Sequence, residues 1–283
     1  MSNPRMGQSG ESLTIGNVVS AGLRIYRDRF KTYYSLAFRA YLWILVPIYG
    51  WAKFGMLLGL ISRLAFQDVI ERPETVSEAQ RHVKPRLWTF FVAGLLVFLI
   101  IIGSILGISI VFGIIFGVLG AILSATLGQS AITLVVTAIL GIAAFFLILY
   151  GYLWVFTRIS IVECPIAIEG TPGASAAVGR SWNLTKGSVS RLVAVFFVAF
   201  LITIPISIVV QIATYIGMAL IGIIFPPESA LFNLFYSVFV LAISFASGAL
   251  LIPFWQGIKA VIYYDLRSRR EGLGLNLGKP NLP

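Results

Sequence analysis

"RHVKPRLWTFFVAG", residues 81–94, puts Arg81, His82, Lys84 and Arg86 within six residues and then turns apolar at Leu87. From Leu87 to Thr157 no Asp, Glu, Lys, Arg or His occurs. A membrane-crossing helix needs about 20 apolar residues, so this stretch alone has room for at least two. A second stretch, Leu192 to Ile258, carries Glu228 as its only charge and has a similar capacity. The whole chain agrees with these two runs: 58% of it is hydrophobic, 11% is charged, and the mean hydropathy is +0.94. A soluble domain carries about 25% charged residues, so this chain cannot cover a water-facing surface of ordinary size. Composition predicts an all-α, polytopic integral membrane protein.

The switch from basic to apolar recurs twice more. Residues 1–12 are small and polar and read as a disordered tail, without the short apolar core of a cleavable secretory signal. Beyond them Ile15, Val19, Gly22, Tyr26 and Phe30 recur at helical spacing, with Arg24, Arg27 and Lys31 on another face. This amphipathic helix leads into an apolar run ending near Phe66, where Pro47 and Gly50 mark a turn. The run predicts a hairpin of helices at roughly 33–48 and 51–68, which either crosses the membrane or re-enters it.

In the middle unit, Thr75-Val76-Ser77-Glu78 fits a capping box, Val76, Ala79 and Val83 form an apolar face, and Pro85 interrupts the helix. In the third, Thr171 is placed to cap, Pro172 suits the first helical position, and Gly187 is placed to stop the helix. Ala174, Val178 and Trp182 align between them. Three units follow, about 13–70, 71–158 and 159–264, each an amphipathic interfacial helix feeding a hairpin. Together they predict one membrane domain over 13–270, six crossings, and a C-terminal tail at 271–283. The surplus near 103–130 reads either as an extra re-entrant helix or as an extension of tilted helices.

Of the 21 Lys and Arg residues, 17 fall before residue 33, after residue 264, and in the links 66–87 and 158–191. Setting aside Arg39, Arg63 and Lys259 inside apolar runs, the opposite side holds Lys53 alone. The positive-inside rule then places both termini in the cytoplasm, in a bacterial inner membrane or a thylakoid membrane. A net charge of +10 with pI near 9.9 would suggest nucleic acid in a soluble protein. Here the charges flank apolar runs, which points to anionic lipid and away from nucleic acid. Arg24, Arg27, Arg81, Arg86, Arg180 and Lys186 are the expected headgroup-binding residues.

Arg39, Lys53, Arg63 and Lys259 lie near predicted helix ends, close enough for their heads to reach the interface by snorkelling. Glu163 and Glu169 flank Cys164 and Pro165 and read as interfacial salt-bridge partners of Arg158. Gly103/Gly107 and Gly113/Gly117 have the small-xxx-small spacing of close helix packing. One cysteine, Cys164, and one histidine, His82, exclude a disulfide and a histidine pair within the chain. No phosphate-binding loop, metal-ligand cluster or activated nucleophile is apparent, so no catalytic residue, metal or cofactor is expected.

Three functions compete. The first is a non-catalytic membrane module that organises lipid, or docks a protein partner or a second copy of itself. The second is a small transporter or channel, for which "GQS" at 128–130, Thr133, Thr137, Gln211 and Gln256 are the available polar groups. The third, a lipid-modifying enzyme, lacks a residue set.

"LTIGNVVSAGLRIYRDRF" (13–30), "IEGTPGASAAVGRSWNLTKGSVSRL" (168–192) and "IKAVIYYDLRSRREGLGLNL" (258–277) together resemble one family. It is the membrane domain attached to some bacterial glycerophosphoryl diester phosphodiesterases, which also occurs alone, including in cyanobacterial proteins. The resemblance covers about residues 13–275 and implies a membrane architecture. It implies no activity, because in the full enzymes the chemistry resides in a separate soluble barrel with histidines and carboxylates around a metal.

Overall fold

The structure, a computed structural model, describes residues 14–128 and 130–272. The tail expected at 1–12, nearly all of that at 271–283, and Gln129 lie outside the described residues. Nine α-helices account for most of the rest: α1 Ile15–Asp28, α2 Phe30–Ile44, α3 Tyr49–Val69, α4 Val76–Val83, α5 Leu87–Leu127, α6 Ala131–Ile159, α7 Ala174–Thr185, α8 Val189–Ile224 and α9 Ala230–Glu271. A 3₁₀ turn, Lys84–Arg86, joins α4 to α5, and a π-type turn, Pro165–Glu169, precedes α7.

Four helices are long and apolar enough to cross a membrane: the one containing α5, then α6, α8 and α9. Leu99, Ile114, Leu134, Phe145, Val209 and Ile223 are among the many large apolar side chains they expose. A helix that is apolar all round needs an apolar surrounding, and most faces of these helices have no protein neighbour to supply one. Lipid is the remaining medium, which makes this a membrane protein. The uncharged surplus at 103–127 belongs to α5, 41 residues long, and is not a separate helix. Gly103, Gly107, Gly113 and Gly117 have nothing within 4 Å of a would-be Cβ, so the expected close packing through them does not occur.

The pair α2 and α3 is different in kind. α2 has 15 residues, about 22 Å of helix against a hydrocarbon core of about 30 Å. α3 contributes Met56, Leu60, Ile61 and Leu64, all at most 1% exposed, to the protein core and packs against α2, α5 and α9. The turn falls at Leu45–Ile48, close to the expected place. Gly50 permits it: a Cβ there would lie 1.9 Å from the Trp43 carbonyl oxygen.

All three expected amphipathic helices are present. Thr75 and Glu78 form the capping box, with Glu78 N–H donating to Thr75 Oγ1 at 3.3 Å and Thr75 N–H to Glu78 Oε2 at 2.8 Å. Gly187 ends α7 with φ +76°. Thr171, however, does not cap α7. Gly173 holds that position, and the Thr171 hydroxyl and N–H both donate to the Pro165 carbonyl, at 3.1 and 3.2 Å. The Gly170 N–H donates to the same carbonyl, so Thr171 is drawn to the end of the π-type turn and not to the start of α7.

The apolar faces of the three helices meet protein and not lipid. α1 buries Val18, Val19, Gly22, Ile25 and Tyr26, packing against α9 and α8. Its close approach depends on Gly22, where a Cβ would lie 2.8 Å from Ile258 Cγ1 and 3.0 Å from Ile258 N. α4 buries Ala79 and Val83, and α7 buries Ala177 and Leu184. With α2, α3 and the C-terminal part of α9 they share one core, a helical head from which the long apolar helices extend.

Candidate functional site

The head is held together by ion pairs that join segments far apart in sequence. Arg63 on α3 is 8% exposed. Its Nε and Nη2 donate to Glu74 at 2.8 and 2.6 Å, and its Nη1 donates to the Ala167 carbonyl at 3.0 Å. Arg29 Nη1 and the Tyr33 hydroxyl both donate to Asp68, at 3.2 and 2.8 Å. Arg191 at the start of α8 meets Asp265 of α9 at 2.7 Å, and Arg269 reaches the same carboxylate at 3.1 Å.

Glu169, at the end of the π-type turn, is the most connected carboxylate. It accepts from Arg180 Nη2 at 2.9 Å and from the Tyr263 hydroxyl, and it lies 3.4 Å from Arg267 Nε. Glu271 meets the same two arginines, Arg180 and Arg267. Hydrogen bonding to Glu169 raises the pKa of the Arg180 guanidinium further, so it is charged at any working pH.

Beneath this network Ser62 donates to Gln256 Oε1 at 2.7 Å. Cys164 is fully buried beside them, and burial together with the Glu163 charge pushes its thiol well above the usual range. Such a thiol is a packing group and not a nucleophile.

The expected headgroup residues divide into two groups. Arg24, Arg27, Arg81 and Lys186 are exposed. Arg180 is committed to Glu169 and Glu271. Arg86 turns inward, donating to the His82 carbonyl and lying against Gly170, where a Cβ would come within 2.6 Å of its Nη2. Arg86 and Arg180, expected at the headgroups, each find an acceptor within the head as well.

The snorkelling expectation is corrected in the same way for Arg63 and Lys259, since Lys259 Nζ donates to Glu163 Oε1 at 2.6 Å. Lys53 sits over Trp43 and Tyr49, 5.5 Å from each ring centre. Arg158 pairs with neither glutamate. It donates to the Trp182 carbonyl at 2.9 Å between the Trp154 and Trp182 rings, a desolvated cation–π position.

Among the described residues, the polar groups named for a transport path do not converge. Gln256 is spent on Ser62, Thr133 closes the α6 N-terminus with Ser130, and Thr137 and Gln211 are exposed on different helices. Sequence reasoning passed over Asp68, Glu74, Asp265 and Glu271. For two of them a local signal exists: Asp265/Arg269 and Arg267/Glu271 are spaced i,i+4 on one helix.

An ion-paired head with exposed arginines and lysines, set on long lipid-type helices, defines the class: an all-helical membrane protein. The chain belongs to the family described as a domain of unknown function (DUF7847), whose model matches residues 33–266. That match takes in α2 through most of α9 and leaves α1 outside. Neither the curated proteins nor the solved structures give a match.

Proposed function

We propose that the protein is a non-catalytic, multi-pass membrane protein whose basic head organises anionic lipid at the inner leaflet. One observation carries this reading. The largely buried carboxylates Asp68, Glu74, Glu163, Glu169 and Asp265 each pair with a cation of the head. Among the described residues Lys31, Arg81, Lys84 and Lys186 are exposed and form no ion pair. The surface is left positive while the interior is neutralised. A basic residue near an anionic bilayer contributes about 1 kcal/mol. Replacing these four by Gln is expected to lower the retention of phosphatidylglycerol in purified protein at least tenfold. Unchanged retention would sink the lipid-organising reading.

The topology belongs to the same proposal. Four crossings, or six if α2 and α3 also cross, both return the chain to its starting side. The 17-to-1 charge bias makes that side the cytoplasm of a bacterial inner membrane or thylakoid. Reporters fused before Thr14 and after Gly272 are expected to give the same cytoplasmic signal, and opposite signals defeat the arrangement. The resemblance to the membrane domain of glycerophosphoryl diester phosphodiesterases enters here as shared architecture without the activity, which in those enzymes belongs to the barrel.

A further inference from the structure

Between α3, the N-terminal part of α5, the end of α6 and α9 lies an open groove of about 210 Å³. Its walls are apolar over most of their area, and Gly94 leaves space in one of them, with nothing within 4 Å of a would-be Cβ. Three polar side chains line it: Ser160, Glu163 and Lys259. The Ser160 hydroxyl is already spent on the Thr157 carbonyl at 2.9 Å.

Glu163 and Lys259 share a single hydrogen bond of 2.6 Å, and each keeps about a fifth of its side chain accessible, 19% and 20%. An ammonium has three N–H donors and a carboxylate two oxygens. Two donors of Lys259 and Oε2 of Glu163 thus have no partner among the described residues. Desolvating an ion pair is offset only when its remaining hydrogen-bonding groups are also satisfied. A charged pair beside apolar helix surface in a membrane protein also marks a functional position.

The ligand that completes this pair must bring an anionic oxygen to Lys259, a cationic N–H to Glu163, and an apolar chain for the walls. We propose that the groove holds one phospholipid with a zwitterionic aminophosphate headgroup. Its phosphate accepts from Lys259, its amine donates to Glu163, and one acyl chain lies along Ala93, Val97 and Ile101. A purely anionic lipid would leave Glu163 facing its phosphate without a compensating charge. Sites that enclose a small molecule run to about 300–1,000 Å³. This smaller, open groove suits one chain and the edge of a headgroup. The proposal goes beyond the basic surface of the head and uses none of its exposed cations.

The test uses the full chain in nanodiscs with equal phosphatidylethanolamine and phosphatidylglycerol, followed by mass spectrometry of protein–lipid complexes released into mild detergent. One phosphatidylethanolamine per chain is the expected result. Gly94→Leu adds a side chain at the groove wall, where its first carbon meets no atom within 4 Å, and improves helix propensity. It is expected to keep its circular dichroism and melting temperature and to lose that lipid at least tenfold. Lys259→Met with Glu163→Gln is expected to abolish the preference for phosphatidylethanolamine, and the surface variant lacking Lys31, Arg81, Lys84 and Lys186 to keep it. The proposal is overturned if Gly94→Leu retains the lipid as the parent does, if the parent retains none, or if phosphatidylglycerol is held equally well or better.

Discussion

Glu74→Ala destabilises the protein by about 3–5 kcal/mol in denaturant titration in detergent, the cost of stranding one member of a buried pair. Glu74 accepts two hydrogen bonds from Arg63 and one from Gln67, and its carbonyl accepts from Arg29. Arg63 in turn donates to the Ala167 carbonyl, so one carboxylate ties α3 to the link before α4 and, through Arg63, to the π-type turn. The side chains are 10% and 18% exposed, too little for water to replace the lost partner. The double variant Arg63→Met, Glu74→Leu removes both charges together and is expected to recover most of the loss. A single-variant cost below about 1 kcal/mol would mean the pair behaves as a solvated surface bridge.

Gly22→Leu is expected to release α1 from the head. The added side chain meets the backbone nitrogen and Cα of Ile258, at 3.0 and 3.2 Å from its first carbon alone, and backbone cannot swing aside as a flexible side chain does. Overpacking of this kind costs about 1–3 kcal/mol, and here the strain is relieved by moving α1 as a body. Limited trypsin digestion should then cut at Arg24 and Arg27 much faster than in the parent, with the long helices unaffected. Unchanged cleavage would show that α1 does not depend on its crossing with α9.

Much of the architecture can be read from the residues, because local chemistry dictates it. The Thr75–Glu78 box, the Pro85 break, the Gly187 stop and the turn before Gly50 each depend on neighbours within a few positions. The membrane class follows from the uncharged run from Leu87 and the run from Leu192 with Glu228 as its only charge. What the sequence does not disclose is which apolar medium an amphipathic face meets. Val18, Val19 and Tyr26 satisfy the pattern equally well against lipid or against α9, and only the tertiary fold chooses. Gly22, set on that apolar face, was the available hint of a close helix crossing.

The ionic partners were hidden for a related reason. Lys259 and Glu163 are 96 residues apart, and Arg191 and Asp265 are 74 apart. Spacing rules carry no information over such distances. Lys259 therefore reads as a lone charge reaching for the interface, although a carboxylate waits in the fold; Arg63 reads the same way because its partner Glu74, 11 residues on, lies beyond the end of α3 and outside the i,i+4 rule.

The length of α5 has a consequence for the bilayer itself. Forty-one uncharged residues in one helix make an apolar rod of about 61 Å, roughly twice the usual hydrocarbon thickness. An upright α5 would leave half of that rod in water, so hydrophobic mismatch acts on it as a torque. Matching a bilayer of about 30 Å by tilt alone takes an inclination near 60°, well beyond the usual range of about 0–40°. Local thickening must share the load, and the protein then favours the thickest bilayer available to it. Leaning at about 40°, the top of that range, α5 sweeps about 40 Å across the membrane plane, a reach over lipid comparable to the width of a much larger protein.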